Sequence, residues 1–202
     1  MFFSFDGIDG VGKSTQVRLF CEALRAAGYE VVACRDPGST PLGERIRELL
    51  LTKDGATSIG RRSEMLLYMA ARAQLVDEII RPAMEAGKTV VSDRYLLANV
   101  VYQGHAGGLD PQAIWQVGQV ATGGTMPDLT FVLDLPLEAA KGRIERPLDR
   151  METQGDDFHR RLRQGYLTEA SRQPDAIVVI DAAQPIEQVQ AEIRKAAQRV
   201  LG

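Results

Sequence analysis

A glycine-rich run between an apolar stretch and a helical pattern constrains this 202-residue chain more than any other feature. The run GIDGVGKST at 7–15 contains G-x-x-x-x-G-K-S and directly follows the apolar stretch from Phe2 to Asp6. Glycines let the backbone curl so that several N–H groups point inward, and a helix that begins at Lys13 adds its partial positive charge. The motif therefore predicts a strand, an anion-binding loop and a helix, in that order.

Short apolar runs alternate along the chain with longer stretches of helical period, which is typical of a parallel sheet covered by helices on both faces. The predicted strands are Phe2 to Asp6, Glu30 to Cys34, Thr89 to Asp93, Leu129 to Asp134 and Ile177 to Asp181. The predicted helices are Lys13 to Ala27, Pro41 to Leu51, Arg61 to Ala86, Pro111 to Thr122, Pro136 to Arg146, Asp157 to Ser171 and Pro185 to Leu201. We therefore expect an α/β domain over 1–202 with a five-stranded parallel sheet flanked by helices.

Charge and cysteine content limit the partners and the location. The 24 Lys and Arg residues against 27 Asp and Glu residues leave a net charge of -3, so no global field draws the chain onto nucleic acid or an anionic membrane. Two cysteines are too few for a disulfide scaffold, and the amino terminus lacks the pattern of a signal peptide. No apolar run reaches the roughly eighteen residues that a membrane-spanning helix needs. We expect a cytoplasmic protein whose phosphate ligands are held by a local site.

The loop predicts a site for the phosphates of a nucleoside triphosphate. Its residues are Gly7, Ile8, Asp9, Gly10, Val11, Gly12, Lys13, Ser14 and Thr15. Lys13 is expected to reach the β- and γ-oxygens, and the Ser14 hydroxyl is expected to bind Mg²⁺. The chain has no N-K-x-D sequence for reading guanine and is short for a motor ATPase. Phosphoryl transfer to a small molecule is the reading that remains.

A phosphate acceptor would require cations across the cleft from the loop. Arg35 follows the second predicted strand, Arg94 follows the third, and Arg72 lies on the long helix. Ligands of open parallel sheets bind beyond the carboxyl ends of the strands, which is where Arg35 and Arg94 are predicted to lie. Each arginine taken alone is equally compatible with ordinary surface charge.

Four further residues fit recognition of a planar base. Tyr68 and Arg72 are four apart and share a helix face, so a base could stack on the ring while the guanidinium donates to a base carbonyl. Asn99 carries a donor and an acceptor suited to a pyrimidine edge, and Tyr102 could crowd a ribose 2′ position. A structural tyrosine and ordinary loop polarity explain the same residues, and both alternatives stay open.

The segment from Arg143 to Asp157 is polar and dense in charge, which by itself favours a solvated, mobile loop. It separates two helical patterns and offers no core face of its own.

Taken together, the ordered motifs resemble the bacterial thymidylate kinase family of P-loop nucleoside monophosphate kinases. The resemblance covers essentially the whole chain. It runs through GIDGVGKST at 7–15, RDPGST at 35–40, YMAARAQ at 68–74, DRY at 93–95, PDLTFVLD at 127–134 and LDRME at 148–152. The loop alone is generic, whereas the arginine loop, the A-A-R helix and the D-R-Y turn together are much more specific.

The resemblance implies a role for each matching residue. Arg94 and Arg35 would bind the dTMP phosphate, with Arg72 on thymine O4, Asn99 on the pyrimidine edge and Tyr102 against a ribose 2′-hydroxyl. Asp9 and Asp93 would position the acceptor and a hydrated Mg²⁺. The segment at about 143–157 becomes a short mobile lid over ATP, and a homodimer is implied.

The lid would also supply the cation that stabilises the transferring phosphoryl group, because Gly10 stands where the eukaryotic branch of the family carries an arginine. Arg143 and Arg150 are the first candidates, with Arg146 as the alternative to Arg143. Two departures from the family pattern are Glu145, where an arginine is frequent, and Tyr68, where phenylalanine is common.

The predicted activity is ATP-dependent phosphorylation of dTMP to dTDP by in-line transfer, with Lys13, Asp9, Arg94, Arg143 and Arg150 as catalytic residues. A kinase acting on nucleosides or on other monophosphates, and a non-catalytic ATP-binding protein, are the alternatives.

Overall fold

A computed structural model describes residues 1–52, 58–144, 150–151 and 153–202. Its centre is one all-parallel sheet in the order β2-β3-β1-β4-β5. The strands are β1 (Phe2–Asp6), β2 (Val31–Arg35), β3 (Thr89–Asp93), β4 (Leu129–Asp134) and β5 (Ile177–Asp181). The predicted α/β class and the five parallel strands are confirmed.

Helices cover both faces of the sheet. They are α1 (Lys13–Ala26), α2 (Pro41–Leu51), α3 (Arg61–Leu75), α4 (Arg81–Glu85), α5 (Leu96–Asn99), α6 (Pro111–Thr122), α7 (Leu137–Lys141), α8 (Asp156–Arg172) and α9 (Ile186–Leu201). Two π-helical segments continue the helices before them: π1 (Val76–Ile80) after α3, and π2 (Val100–Ala106) after α5.

Helix ends follow the chemistry of their flanking residues. Before α2, the Thr40 hydroxyl accepts from the Gly43 N–H at 3.0 Å, and Pro41 occupies the first turn, where a missing N–H costs nothing. Gly123 ends α6 in the left-handed conformation that glycine adopts without strain. These local signals explain why the predicted bounds of both helices agree with the structure.

The predicted bounds need correction at six elements, and at three of them, the helices predicted over 13–27, 157–171 and 185–201, the difference is one residue at one or both ends. The second strand is shifted by one residue and includes Arg35, because the ladder with β3 extends to a pair between Arg35 and Asp93. The helix predicted over 61–86 is three successive segments with π1 in the middle. The helix predicted over 136–146 ends at Lys141, and residues 145 and 146 of that prediction lie outside the described residues.

The core on one face of the sheet is built around phenylalanine. Phe3 and Phe5 of β1, Phe131 of β4 and Phe20 of α1 are all buried, with ring centroids 4.9 to 6.1 Å apart. Such offset and edge-on contacts add to the burial of apolar surface that stabilises the sheet against α1.

Because every strand is parallel, the carboxyl ends all meet at one edge of the sheet. The phosphate-loop sequence follows β1 there, Arg35 ends β2, and Arg94 follows β3. No helix in the described part of the chain is both long and apolar enough to cross a membrane.

Candidate active site

The loop after β1 is shaped by glycines at positive φ. Gly7, Gly10 and Gly12 have φ values of 131°, 82° and 92°. A Cβ on Gly7 would lie 2.5 Å from the Leu133 carbonyl oxygen, and one on Gly10 would lie 2.1 Å from that of Ala140. Helix α1 then begins at Lys13 with no side-chain cap. The loop is therefore a backbone cradle at a helix N-terminus, which is a favourable place for an anion.

Lys13 extends back across this cradle. Its Nζ donates to the carbonyl oxygens of Gly7 at 3.1 Å and Ile8 at 2.7 Å, and it lies 3.6 Å from Asp9 Oδ1. Burial and the charge of Arg94 lower the pKa of Lys13, while nearby carboxylates oppose that shift. The ammonium is thus held inside the cradle, and its contact with phosphate oxygens stays a prediction.

Arg94 joins the cradle to the helices across the cleft. It adopts an unusual backbone conformation for a non-glycine residue, with φ 68°. Its Nη1 donates to the Gly7 carbonyl at 3.0 Å and to the Tyr166 hydroxyl at 3.2 Å, and its Nη2 donates to Asp9 at 2.7 Å and to the Tyr102 hydroxyl at 3.0 Å. One guanidinium therefore contacts the loop, π2 and α8.

Asp9 is the carboxylate that balances these cations. Its Oδ2 accepts from the Tyr102 hydroxyl at 3.0 Å. Burial alone would raise the pKa of Asp9, but Arg94 and Lys13 hold it well below its usual range. Asp9 is ionised at neutral pH and fixes the separation between the two cations.

A groove of about 960 Å³ runs over the cradle. A second groove, of about 530 Å³, lies on the α6 side of the sheet and does not reach the loop. The lining of the groove over the cradle includes residues 9–16 and the charged side chains Arg35, Asp36, Arg47, Asp93, Arg94 and Arg143. Arg143 donates from Nη1 to the Ala182 carbonyl at 3.3 Å, and Gln184 lines the same groove. The turn at 181–184, a candidate for adenine contact from its place after the last strand, thus borders the cradle.

Oxygen donors at the end of the cradle suit Mg²⁺. The Ser14 hydroxyl lies 3.5 Å from Asp93 Oδ2, at the mouth of the backbone cradle. Mg²⁺ prefers oxygen ligands and is commonly held by one or two protein groups together with phosphate and water. No cluster of three or more His, Cys, Asp or Glu side chains arranged for a metal occurs within the described ranges. The donors fit an ion held mainly by a nucleotide.

A smaller cavity of about 110 Å³ opens on the acceptor side of Arg94. The predicted base-recognition residues Tyr68, Arg72, Asn99 and Tyr102 all line it, as do Asp9 and Arg94. The sequence separates these residues by up to 93 positions, and the fold brings them to one pocket. The pocket and the groove share Asp9, Asp36, Arg47 and Arg94, so the two cavities adjoin at these charged side chains.

Arg72 forms the floor of this pocket. It is fully buried, with Nε donating to Asp36 Oδ2 at 2.6 Å and Nη1 donating to Asn99 Oδ1 at 3.0 Å. Its Cζ also lies 5.5 Å from the Tyr95 ring centroid. Asp36 and Tyr95 therefore fix the guanidinium plane beside Asn99.

Two predicted arginines are engaged elsewhere. Arg35 lines the groove, but its Nη2 donates to Glu44 at 2.8 Å and half of its side chain is exposed. Arg150 forms an ion pair with Glu64, donates to the Leu50 carbonyl and lines neither cavity. Their predicted phosphate contacts stay predictions. Arg146 and Glu145 lie outside the described residues.

Sequence reasoning missed several residues of the site. Asp36 and Arg47 line both cavities, and the Tyr166 hydroxyl bridges Arg94 to Asp6. Asp36 lies beside the predicted Arg35 in RDPGST, which was a usable signal. Tyr166 offers none, because its approach to the loop depends on how α8 packs over the sheet.

Comparison with known proteins agrees with this geometry. Residues 5–193 match the family model described as thymidylate kinase. A thymidylate kinase from Kosmotoga olearia is 44% identical over 96% of this chain and 94% of its own length, and one from Bifidobacterium longum is 46% identical over 96% and 95%. The crystal structure of thymidylate kinase from Ehrlichia chaffeensis superposes with a TM-score of 0.80 and 32% identity, covering 98% of both chains.

Proposed function

The chain belongs to the thymidylate kinase family, and from that premise we propose that it transfers the γ-phosphoryl group of ATP to dTMP, giving ADP and dTDP. One observation carries the proposal for this site. Arg94 contacts both the phosphate cradle and the residues of the acceptor pocket, so a donor and an acceptor phosphate would meet at one guanidinium.

On the donor side, the backbone N–H groups of the loop bind the β-phosphate, and Lys13 contacts oxygens of the β- and γ-phosphates. The lid cation is Arg143, which lines the groove over the cradle. These charges stabilise the transition state because they are already in place before charge develops on the transferred group.

On the acceptor side, the base enters the small pocket beside Tyr68, with Arg72 donating to thymine O4 and Asn99 contacting the neighbouring edge. Tyr102 is held against Asp9 and Arg94 by its hydroxyl, so its ring cannot turn aside for a ribose 2′-hydroxyl. Arg94, with Arg35, binds the 5′-phosphate. An anionic phosphate oxygen then attacks in line, and it needs no general base because it carries no proton to remove.

Ser14 and Asp93 would hold Mg²⁺ at the mouth of the cradle, which is the only protein contribution we assign to that ion. When bound, the ion would neutralise charge on the β- and γ-phosphates. The chain's own residues would still orient the two phosphates.

The test is an ADP-release assay with Mg·ATP and a panel of acceptors: dTMP, dUMP, dCMP, UMP, AMP and thymidine. We expect the highest kcat/KM with dTMP and no turnover of thymidine. A preference for a nucleoside would indicate a nucleoside kinase, and ATP binding without turnover of any acceptor would indicate a non-catalytic binder.

Lys13→Ala is the matched inactive variant for that assay. It should lower kcat by at least about a hundredfold, because it removes a phosphate-contacting cation from the transition state. Retention of the wild-type rate would show that the measured activity does not arise at this cradle.

We also propose a homodimer formed through helix faces. Large apolar side chains on α2 and α3 stay exposed: Leu42 and Leu49 share one face of α2, and Leu66 projects from α3. The organisation as one domain over 1–202 with a lid at about 143–157, and the cytoplasmic location, stay predictions.

A further inference from the structure

The hydroxyl group of Tyr166 lies beneath the start of the phosphate cradle, next to Arg94. Tyr166 belongs to α8, and only 1% of its surface is exposed. Its oxygen accepts a hydrogen bond from Arg94 Nη1 at 3.2 Å, and its proton is donated to Asp6 Oδ1, also at 3.2 Å. Tyr166 lines neither the groove over the cradle nor the acceptor pocket, so we assign it no contact with a substrate.

The direction of these two hydrogen bonds follows from the chemistry of the three groups. A guanidinium can only donate hydrogen bonds, so Arg94 must use the Tyr166 oxygen as an acceptor. Burial raises the pKa of Tyr166 well above its usual range, so the hydroxyl keeps its single proton. That proton points to Asp6, which leaves the lone pairs of the hydroxyl oxygen facing Arg94.

Tyr166 is one of four protein acceptors around Arg94. Nη1 donates to the Gly7 carbonyl and to Tyr166, whereas Nη2 donates to Asp9 and to the Tyr102 hydroxyl. These contacts use four of the five N–H groups of the guanidinium. The fifth, on Nε, has no acceptor among the described residues. The four contacts therefore decide where this remaining N–H group points.

The two ends of the guanidinium differ in their access to a ligand. Both Nη2 partners line the acceptor pocket, where a bound phosphate would compete for the same N–H groups. Neither Nη1 partner lines the pocket or the groove, so a substrate has no access to those contacts. The Gly7 carbonyl also accepts from Lys13 Nζ at 3.1 Å, and Tyr166 is thus the Nη1 partner that is not shared with a second cation in the described part of the chain.

We propose that Tyr166 is a positioning residue for phosphoryl transfer: its hydroxyl, held by Asp6, fixes Arg94 in the orientation that binds the 5′-phosphate of the acceptor. The inference rests on the proposed function only in placing an acceptor phosphate against Arg94. It makes the packing of α8 against the loop a determinant of phosphate binding, although α8 contributes no substrate contact through this residue.

The direct test compares two ligands that differ only in the 5′-phosphate. Isothermal titration with dTMP and with thymidine, both without ATP, measures what the phosphate contributes to affinity. Tyr166→Phe removes the hydroxyl and keeps the ring, so dTMP affinity should fall by about tenfold, as for a lost hydrogen bond to a charged group, while thymidine affinity stays within about twofold. Tyr29→Phe makes the same change at a partly buried position that lines neither cavity, and it should leave both affinities unchanged.

A double-mutant cycle tests whether Tyr166 acts through Arg94. The Arg94→Lys variant lacks the planar fork, so adding Tyr166→Phe to it should lower dTMP affinity by no more than about twofold. A second tenfold loss in that background would overturn the inference, because the effect would not pass through Arg94. An unchanged dTMP-to-thymidine ratio in Tyr166→Phe alone would also overturn it, as would equal losses of affinity for dTMP, thymidine and ADP.

Variants of Asp6 test the other hydrogen bond of the hydroxyl. Asp6→Asn keeps an oxygen that can accept from Tyr166, so the dTMP-to-thymidine ratio should stay within about threefold of the wild type. Asp6→Ala removes that acceptor and should lower the ratio by more than Asp6→Asn does. Equal ratios in the two Asp6 variants would show that the hydroxyl needs no acceptor, which contradicts the inference.

These outcomes separate the inference from the proposed function. If the wild-type protein binds dTMP more tightly than thymidine but transfers no phosphoryl group, the proposed activity fails, and the two affinities still decide the role of Tyr166. If the wild-type protein phosphorylates dTMP and Tyr166→Phe keeps its dTMP-to-thymidine ratio, the inference fails and the activity stands.

Discussion

At the scale of single residues, Arg94 shows how the site is held together. A left-handed backbone costs a non-glycine residue about 1 kcal/mol or more, and two hydrogen bonds compensate for it here. The Arg94 N–H donates to the Phe5 carbonyl at 2.8 Å, and the Ser92 hydroxyl donates to the Arg94 carbonyl at 2.7 Å. This backbone turn directs the side chain back over the end of β1, toward the loop.

Arg94→Lys tests that geometry while keeping the charge. An ammonium cannot reproduce a planar fork that reaches Gly7, Asp9 and two tyrosine hydroxyls, so we expect kcat/KM for dTMP to fall by about a hundredfold or more. Steady-state kinetics measure the effect. Arg18→Lys is the control, since Arg18 lies exposed on α1 and pairs only with Glu22 among the described residues. A similar loss in the two variants would contradict the role of the fork.

Asp6 is a buried carboxyl group beneath the loop. Its Oδ1 accepts from the Tyr166 hydroxyl at 3.2 Å, and its Oδ2 has no hydrogen-bond partner within the described part of the chain. Burial raises the pKa of Asp6 from 3.8 to about 7, although Arg94 and Lys13 act in the opposite direction. The folded protein therefore holds this proton more tightly than the unfolded chain does.

The sign of the pH dependence follows from that pKa difference. Stability linked to Asp6 is fully present below pH 4 and is lost as the pH rises through about 7. Asp6→Asn removes this titration, so the fall in the free energy of unfolding between pH 5 and pH 8 should be smaller than in the wild type. Urea unfolding at both values measures it. Asp175→Asn, on an exposed turn, should keep the wild-type fall.

Site residues could be predicted from the sequence where a local motif specifies them, and not where their role depends on contacts between residues far apart along the chain. Residues 7–15 were predictable because a local motif dictates a local backbone shape. Arg72 and Asn99 were predicted as separate base contacts, but the hydrogen bonds from Asn99 to Gln103 and from Gln103 to Glu64 were not predicted. Gln103 and Glu64 are 39 residues apart, and the packing of α3 against π2 brings them together.

At the scale of elements, the strands were predicted well because each is a short apolar run bounded by polar residues. The π-helical segments were not predicted. A π turn widens a helix by one residue, which leaves little trace in hydrophobic periodicity, and it is stabilised by neighbouring elements. Segment π2 carries Tyr102 and Gln103, which line the acceptor pocket, so the irregular helical geometry lies at the candidate site.

The contact between α8 and π2 tests this packing. Gly165 of α8 lies so close to π2 that an added Cβ would stand 2.7 Å from His105 Cβ. Gly165→Ala should destabilise the fold by about 1 to 3 kcal/mol, as overpacking usually does, and it should weaken activity by displacing Tyr166. Thermal unfolding measures the first effect and kcat/KM the second.

Gly60→Ala is the matched control for that substitution. It lies before α3 at a negative φ with no atom within 4 Å of the added Cβ, so we expect a change of no more than about 0.5 kcal/mol. Equal stability of the two variants would show that α8 can shift away from π2 without cost.

At the scale of the whole molecule, the overall charge and the site charge have opposite signs. The chain carries a net charge of -3, yet five cationic side chains border the groove over the loop: Lys13, Arg35, Arg47, Arg94 and Arg143. Parallel strands concentrate these cations because they end at one edge of the sheet. The net negative charge therefore argues against binding of long polyanions, but it does not exclude a local site for small phosphates.

The exposed leucines on α2 and α3 give the proposed homodimer a test at this scale. Leu66 of α3 is 53% exposed, and a second copy packed on this face would remove it from water, whereas an isolated chain gains nothing from its exposure. Leu66→Glu would bury two carboxylates at a symmetric interface and should shift the protein from dimer to monomer in sedimentation velocity. Val179→Glu alters an apolar side chain on β5 that is 41% exposed, and it should leave the dimer intact.

Because α3 also carries Tyr68 and Arg72, the monomeric variant should bind dTMP more weakly than the control does. A monomeric wild type, or dissociation by Val179→Glu alone, would assign the association to a different face or to none.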